Sequence, residues 1–153
     1  MIKGYTIIVD TRERLPLWER NIKKEKLDVG DYSIDGYQDK IAIERKSLAD
    51  TYSTLTGGMK RFKRELERAQ SYDYFAIVID GSYVSLLEKN WDGARYTKLR
   101  GFIVTATLFT LHVKYGINIF FSNGREESRK IIKEIFKAYL KNGKSTRNSK
   151  VSE

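Results

Sequence analysis

Residues 30–50 constrain this chain more than any other stretch. Residues 31–34 and 41–45 each alternate apolar with small or charged side chains, the period of a half-buried strand, and residues 35–40 between them carry turn chemistry. The pattern predicts a β-hairpin, and its register decides whether its charges converge. A two-residue turn at Asp35-Gly36 would pair Tyr32 with Asp39 and set Asp31 against Lys40. A four-residue loop, residues 36–39, instead pairs Asp35 with Lys40, Ile34 with Ile41 and Tyr32 with Ile43. The second register gathers apolar side chains into cross-strand pairs, and burial of one such face is what fixes a register.

That register also puts Asp31 opposite Glu44, with Cβ atoms about 5 Å apart. Lys46, two residues past Glu44, points to the same face. Two carboxylates that close repel each other, so a cation belongs between them, and oxygen ligands of this kind suit Mg²⁺ or Mn²⁺. Carboxylates on an exposed strand face also fit a plain surface hairpin, so the hairpin by itself leaves both readings open.

A chain of 153 residues fits one domain with a real core. Its net charge of +9 is compatible with a polyanionic partner, although basicity alone is weak evidence. With no cysteine, thiol catalysis, disulfides and Cys-based metal sites are excluded. No signal peptide is read at the N-terminus, and the longest apolar stretch, residues 102–113, is too short and too rich in Thr to span a bilayer. The expectation is an intracellular protein of the cytoplasm or nucleoid, with no membrane partner.

Residues 5–9 form a β-branched run ending at Asp10, a predicted strand. Asp10 and Glu13 are placed to add carboxylates to those of the hairpin, or Asp10 or Thr11 caps the next segment. Residues 15–24 are predicted as a helix, with Leu15, Trp18 and Ile22 on one face and Pro16 in its first turn. Ser47 opens another helix, and Asp50 three residues on nearly completes a capping box, a structural role that competes with metal binding. Thr56-Gly57-Gly58 bends the chain. Residues 59–71 resume the helix, with Met59, Phe62, Leu66 and Ala69 on one face and Lys60, Arg61, Lys63 and Arg64 as candidate phosphate contacts, or simply a solvated face.

Residues 74–79 read as a buried strand ended by Asp80-Gly81, residues 83–89 as a short helix and residues 91–94 as a loop. Residues 96–115 are predicted as a long helix, apolar on several sides and so buried in the core or in a subunit interface. Its His112, the only histidine, reads as a packing residue. Residues 117–121 form a strand. Residues 124–140 form an amphipathic helix capped by Ser122 or Asn123 and ended by Gly143. Residues 1–143 thus make one domain, and residues 144–153 a basic tail expected to be disordered. Alternating strands and helices around one hairpin argue for an α/β domain with a mixed sheet and helices on its faces.

Val9-Asp10-Thr11-Arg12-Glu13, then Gly30-Asp31-Tyr32, then Glu44-Arg45-Lys46-Ser47-Leu48-Ala49-Asp50 resembles the nuclease domain of the XPF family of structure-specific endonucleases. That family's signature is Gly-Asp, a variable gap and Glu-Arg-Lys-x-x-x-Asp, and every fixed position is present in order. Arg61 resembles the arginine carried on the following helix. The match covers about residues 5–61, and the later pattern is compatible with it through residue 140. The resemblance implies a restriction-endonuclease-like fold and Mg²⁺-dependent cleavage of branched or junction DNA, with Mn²⁺ as a substitute. It implies Asp31 and Glu44 as core metal ligands, Asp10 and Glu13 as completing the acidic cluster, and Lys46 as orienting the attacking water or stabilising the scissile phosphate. Arg12, Asp50 and Arg61 are supporting residues. Arg45, by strand alternation, is expected on the opposite face, paired with a buried carboxylate or carbonyl and acting indirectly.

Family members usually continue into a tandem helix-hairpin-helix module, which this sequence is too short to contain, so a separate DNA-binding or targeting partner is expected to matter. The dimeric habit of the family, with the many-sided apolar helix at residues 96–115, implies a homodimer built from the late helices, at residues 96–115 or 124–140. Two rivals stand beside the junction nuclease. One is a resolvase-like recombination nuclease. The other is a non-cutting DNA-binding subunit, against which the joint presence of Asp10, Glu13, Asp31, Glu44 and Lys46 argues.

Overall fold

The computed structural model describes residues 4–143 of the chain. A six-stranded mixed sheet runs through it, built from β1 (Ile7–Val9), β2 (Ile22–Lys24), β3 (Tyr32–Ile34), β4 (Ile41–Ser47), β5 (Tyr74–Asp80) and β6 (Asn118–Ser122), in the order β2-β1-β3-β4-β5-β6. The hairpin β3–β4 is antiparallel with Tyr32 opposite Ile43, the register that apolar pairing selects. β4, β5 and β6 are mutually parallel. Parallel neighbours need crossovers of one hand. α1 (Leu48–Leu55) and α2 (Met59–Ala69) fill the first crossover, and α3 (Tyr83–Leu87) and α4 (Gly101–Tyr115) the second.

Two buried layers result, one on each face. Leu55, Phe62, Leu66, Leu86, Val104 and Leu108 from the crossover helices close over Ala42, Ile77 and Ile79. On the other face α5 (Arg125–Ala138) lays Ile132 and Phe136 over Val9, Tyr32, Ile43 and Val78. β4 therefore lies inside the sheet with Ile41, Ala42 and Ile43 all buried, not half-buried as its alternation suggests. Ser47 caps α1 as expected, its Oγ accepting from Asp50 N at 3.0 Å.

The expected helix at residues 15–24 does not form. Leu17 and Trp18, adjacent in sequence, are both buried, whereas Leu15 is 69% exposed. Ile22 begins β2, which runs parallel to β1 with Ile7 opposite Ile22. The free edge of β1 carries backbone groups that need partners, and strand pairing satisfies them where a helix would not. The long helix also starts later than predicted, at Gly101, because Leu99 N donates to Tyr52 Oη at 2.8 Å and Lys89 Nζ to Thr97 O at 3.2 Å, holding residues 97–100 out of helical geometry after a single 3-10 turn at Ala94–Tyr96. Its burial is one-sided: Val104, Thr105, Leu108 and Leu111 face inward, while Phe102, Ile103, Phe109 and Val113 are exposed. His112 Nδ1 bonds to the Ile117 carbonyl, a packing role.

Neither Ser122 nor Asn123 caps α5. Gly124 holds that position with φ of 137°, and Ser122 Oγ is drawn inward to Ser128 Oγ at 2.6 Å. Gly101 lies against α3 so closely that a Cβ there would collide with the Leu87 carbonyl. Gly101→Ala is expected to destabilise the fold by about 2 kcal/mol or more, the usual scale of overpacking, read as a lowered urea midpoint with unchanged slope.

Candidate active site

The alternation of β4 divides its last charged residues between the two faces. Glu44 and Lys46 enter the α1–α2 side, and Lys46 Nζ meets Glu44 Oε2 at 3.0 Å, with the two side chains only 14% and 12% exposed. Lys46 Nζ also lies over the Phe62 ring, 5.4 Å from its centroid. Asp31 reaches across from the entry to β3, and its Oδ2 accepts from Arg45 N at 2.8 Å. Gly30, before it, has φ of 77°, and an added Cβ would sit 2.9 Å from the Ile43 carbonyl oxygen, so the Gly-Asp pair can approach β4 only with glycine there.

A fourth member, which the sequence pattern did not single out, is Glu65 on α2. Its Oε2 accepts from Gly30 N at 3.0 Å, and its charge bears on Glu44. The available signal was its position on α2, flanking the buried stripe of Phe62 and Leu66. Three carboxylates thus gather around one lysine. Burial, then the charge of Glu65, push Glu44 up to about 7 against the pull of Lys46. Burial, then Glu44, likewise raise Asp31 well above the usual carboxylate range, against the hydrogen bond from Arg45 N. Lys46 is raised despite its burial, first by Glu44.

Of the other residues expected in the cluster, Asp10 and Arg12 lie beside this centre and Glu13 does not. Asp10, at the end of β1, is buried and takes four hydrogen bonds: Oδ1 from Arg12 N and Nε at 2.9 and 2.8 Å, Oδ2 from Arg12 Nη2 and Leu27 N at 3.0 and 2.7 Å. Burial raises its pKa, but the bonds from Arg12 and Leu27 outweigh that and hold it low. Arg12 also donates to the Leu27 carbonyl at 2.9 Å. Glu13 turns to the opposite face and accepts from Tyr32 Oη at 3.0 Å, 3.8 Å from Arg45.

Arg45 lies on that opposite face, as alternation requires, and pairs with both kinds of partner expected of it. It bonds to Asp80 Oδ2 at 2.6 and 3.1 Å and to the Leu15 carbonyl at 3.2 Å. Ser128 Oγ donates to the other oxygen of Asp80. Asp50 is exposed at the start of α1, and Lys60, Arg61, Lys63 and Arg64 are exposed along α2. Among the described residues no three His, Cys, Asp or Glu side chains form a ready-made metal cage. The donor set is nevertheless that of a hard divalent cation, which binds through one or two carboxylates and keeps its waters.

A raised carboxylate pKa means that the folded state binds the proton more tightly than the unfolded chain does. Its contribution is full below about pH 4.5 and is lost as pH rises through about 7. Glu44→Gln removes that loss. Its melting temperature without metal is expected to exceed wild type at pH 8, with the two curves converging near pH 5.

The ERCC4 domain matches residues 9–135. The structure is similar to that of XPF from Aeropyrum pernix, at a TM-score of 0.68 and 22% identity over 90% of this chain and 63% of that one. It is equally similar to the same organism's XPF in complex with DNA, at a TM-score of 0.68 and 22% identity, over 90% of this chain and 66% of that one. The chain therefore spans slightly less than two thirds of each. No curated protein matches the chain in sequence. The mixed sheet with helices on both faces is the restriction-endonuclease-like fold that the motif implied. With most of its length covered by the domain and every motif residue in order, the chain belongs to the ERCC4 domain family, the family of XPF-type nuclease domains.

Proposed function

We propose that this domain is a divalent-metal-dependent DNA endonuclease that cuts branched or junction DNA by hydrolysing one phosphodiester bond. The observation that carries the reading is the charge imbalance at the end of β4: Asp31, Glu44 and Glu65 gather around Lys46, the nearby Arg12 is already engaged by Asp10, and Asp31 and Glu44 are both pushed toward the protonated state. Such a cluster is relieved by a cation, and Mg²⁺ or Mn²⁺ suits its oxygen donors. Asp31 and Glu44 would hold the metal, with Glu65 behind Glu44. Asp10 would join them only by giving up its bonds to Arg12. A bound Mg²⁺ supplies a lowered water pKa and neutralises charge developing on the phosphate.

The chain's own groups do the positioning. Lys46 Nζ, held by Glu44 and packed on Phe62, is placed to donate to a phosphate oxygen or to the attacking water. Arg45 and Asp80 clamp β4 to β5 from the far side, so that Glu44 and Lys46 cannot turn away. DNA affinity would come from the exposed Lys60, Arg61, Lys63 and Arg64 on α2, whose inner side carries Glu65. A separate partner, or further segments, would select the DNA structure.

Glu44→Gln and Lys46→Ala are each expected to lower cleavage by roughly a hundredfold or more while metal-free affinity for DNA stays close to wild type, since one positioned charge matters to the reaction and little to a many-contact electrostatic interface. Replacing Lys60, Arg61, Lys63 and Arg64 together is expected to weaken binding and flatten its salt dependence. The assay compares nicking of forked, four-way and plain duplex DNA in Mg²⁺ with binding across a salt series. Near wild-type cutting by Glu44→Gln would place the chemistry elsewhere, preference for four-way junctions would favour a resolvase-like enzyme, and binding without any cutting would favour a non-catalytic subunit.

The exposed Phe102, Ile103, Phe109 and Val113 of α4 support a homodimer through this face. Sedimentation at micromolar concentration is expected to give a dimer for wild type and a monomer for Val113→Asp combined with Phe109→Asp. A wild-type monomer would remove this assignment.

A further inference from the structure

Away from Glu44 and Lys46, on the α5 side of the sheet, an open groove of about 950 Å³ runs between α5 and the segment that was expected to be helical. Its walls bring Arg20, Arg125, Arg129 and Lys133 together against one carboxylate, Glu19. Arg125, Arg129 and Lys133 recur every fourth residue and so form a row along α5, each step about 6 Å along its axis. Arg125 is engaged, donating to the carbonyls of Leu15 at 3.0 Å and Pro16 at 2.5 Å, which fixes the groove's end. Arg129 is not fully used. Its guanidinium lies 6.0 Å from the Trp18 ring centroid, its one ion pair, to Glu126, is 3.7 Å long, and its Nε is the only buried side-chain polar atom without a hydrogen-bond partner among the described residues. The Nε–H itself is buried, so a ligand in the groove can reach only the Nη groups, on a side chain that is 40% exposed.

We propose that this groove binds the phosphodiester backbone of a nucleic acid strand, with the exposed guanidinium end of Arg129 donating to a phosphate oxygen and Arg20 and Lys133 neutralising its neighbours. This rests on reading the domain as a DNA-cutting one, and adds a strand-binding surface on the face opposite Glu44 and Lys46. A phosphate accepts from arginine by charge-assisted hydrogen bonds, which the open groove permits and the enclosed Arg45–Asp80 pair does not. Only a strand that runs past the catalytic edge, such as one arm of a junction, would meet both faces. The groove is thereby a seat for the arm that is not cut.

The test follows the Arg129 Nε–H and Trp18 indole N–H signals in ¹⁵N spectra of the full chain during titration with hexathymidylate and, separately, with inorganic tripolyphosphate. Both ligands are expected to shift both signals. Arg129→Gln combined with Lys133→Gln is expected to abolish the Trp18 shift and to lower the salt slope of forked-DNA binding by about 2, since each phosphate neutralised adds roughly 0.9 to that slope. The same variant should still nick a short duplex at the wild-type rate, and its unchanged melting temperature would show that it folds. Oligonucleotide shifts confined to Arg61 and Arg64 on α2 would overturn the groove and leave the nuclease reading standing. Shifts with tripolyphosphate alone would reduce the groove to a small-anion site and overturn the strand-binding role. Absence of any shift, together with absence of forked-DNA binding, would overturn both this inference and the DNA reading.

Discussion

The central position of β4 governs the rest of the molecule. Because both of its faces are covered, every second side chain is committed to one of two interiors. Ile41 and Ile43 go to the α5 side and Ala42 to the crossover side, and the charged residues beyond them inherit the same assignment. Glu44 and Lys46 are thereby forced into the space under α1 and α2, and Arg45 into the space beneath α5. A one-residue slip of β4 against β3 would exchange the two sets and strand Arg45 beside Phe62. The cross-strand pair Tyr32–Ile43 is what prevents it.

The two polar groups so produced differ in kind. Around Arg45 the polar groups are hydrogen-bonded: Asp80 and Glu13 share one guanidinium, the Leu15 carbonyl takes a further donor, and Ser128 and Tyr32 donate to the carboxylates. A satisfied network of this kind rigidifies the strands it joins. Around Lys46 the charges are not matched, and Glu44 is driven to about 7. The fold therefore carries an electrostatic cost on one side of β4 while the other side holds the strand still. That division is expected of a site whose missing charge arrives with a ligand.

The hairpin and its register were legible because apolar pairing and turn length agreed on one answer. The parallel strands β5 and β6 and the helices α1, α2 and α5 were legible from their apolar period, and in α1 the Ser47 cap agreed with it. Residues 15–24 were not legible. Their spacing of Leu15, Trp18 and Ile22 mimics a helical stripe, and only the neighbouring free edge of β1 shows why Ile22 joins a sheet instead. Glu65 was missed because one glutamate on a highly charged helix looks like solvated surface until Gly30 is placed against it. The division of Asp10 and Glu13 between Arg12 and Tyr32 was equally invisible, since spacing along the chain gives their nearness but not the direction of their side chains.

The irregular segment before β2 and the shape of the α5 face have a common origin. Crossovers of one hand place α1 through α4 on the Glu44 side, so only α5 and the chain before β2 remain to cover the other side. A helix at residues 15–24 would have packed beside α5 and closed that layer. A run of turns and bends fills less of that layer. It buries Leu17 and Trp18 as two anchors and leaves its backbone carbonyls at Leu15 and Pro16 to Arg125. The space a second helix would have filled stays open, lined by the basic row of α5. The same local preference for strand over helix therefore completes the sheet edge beside β1 and leaves a cationic cleft on the surface.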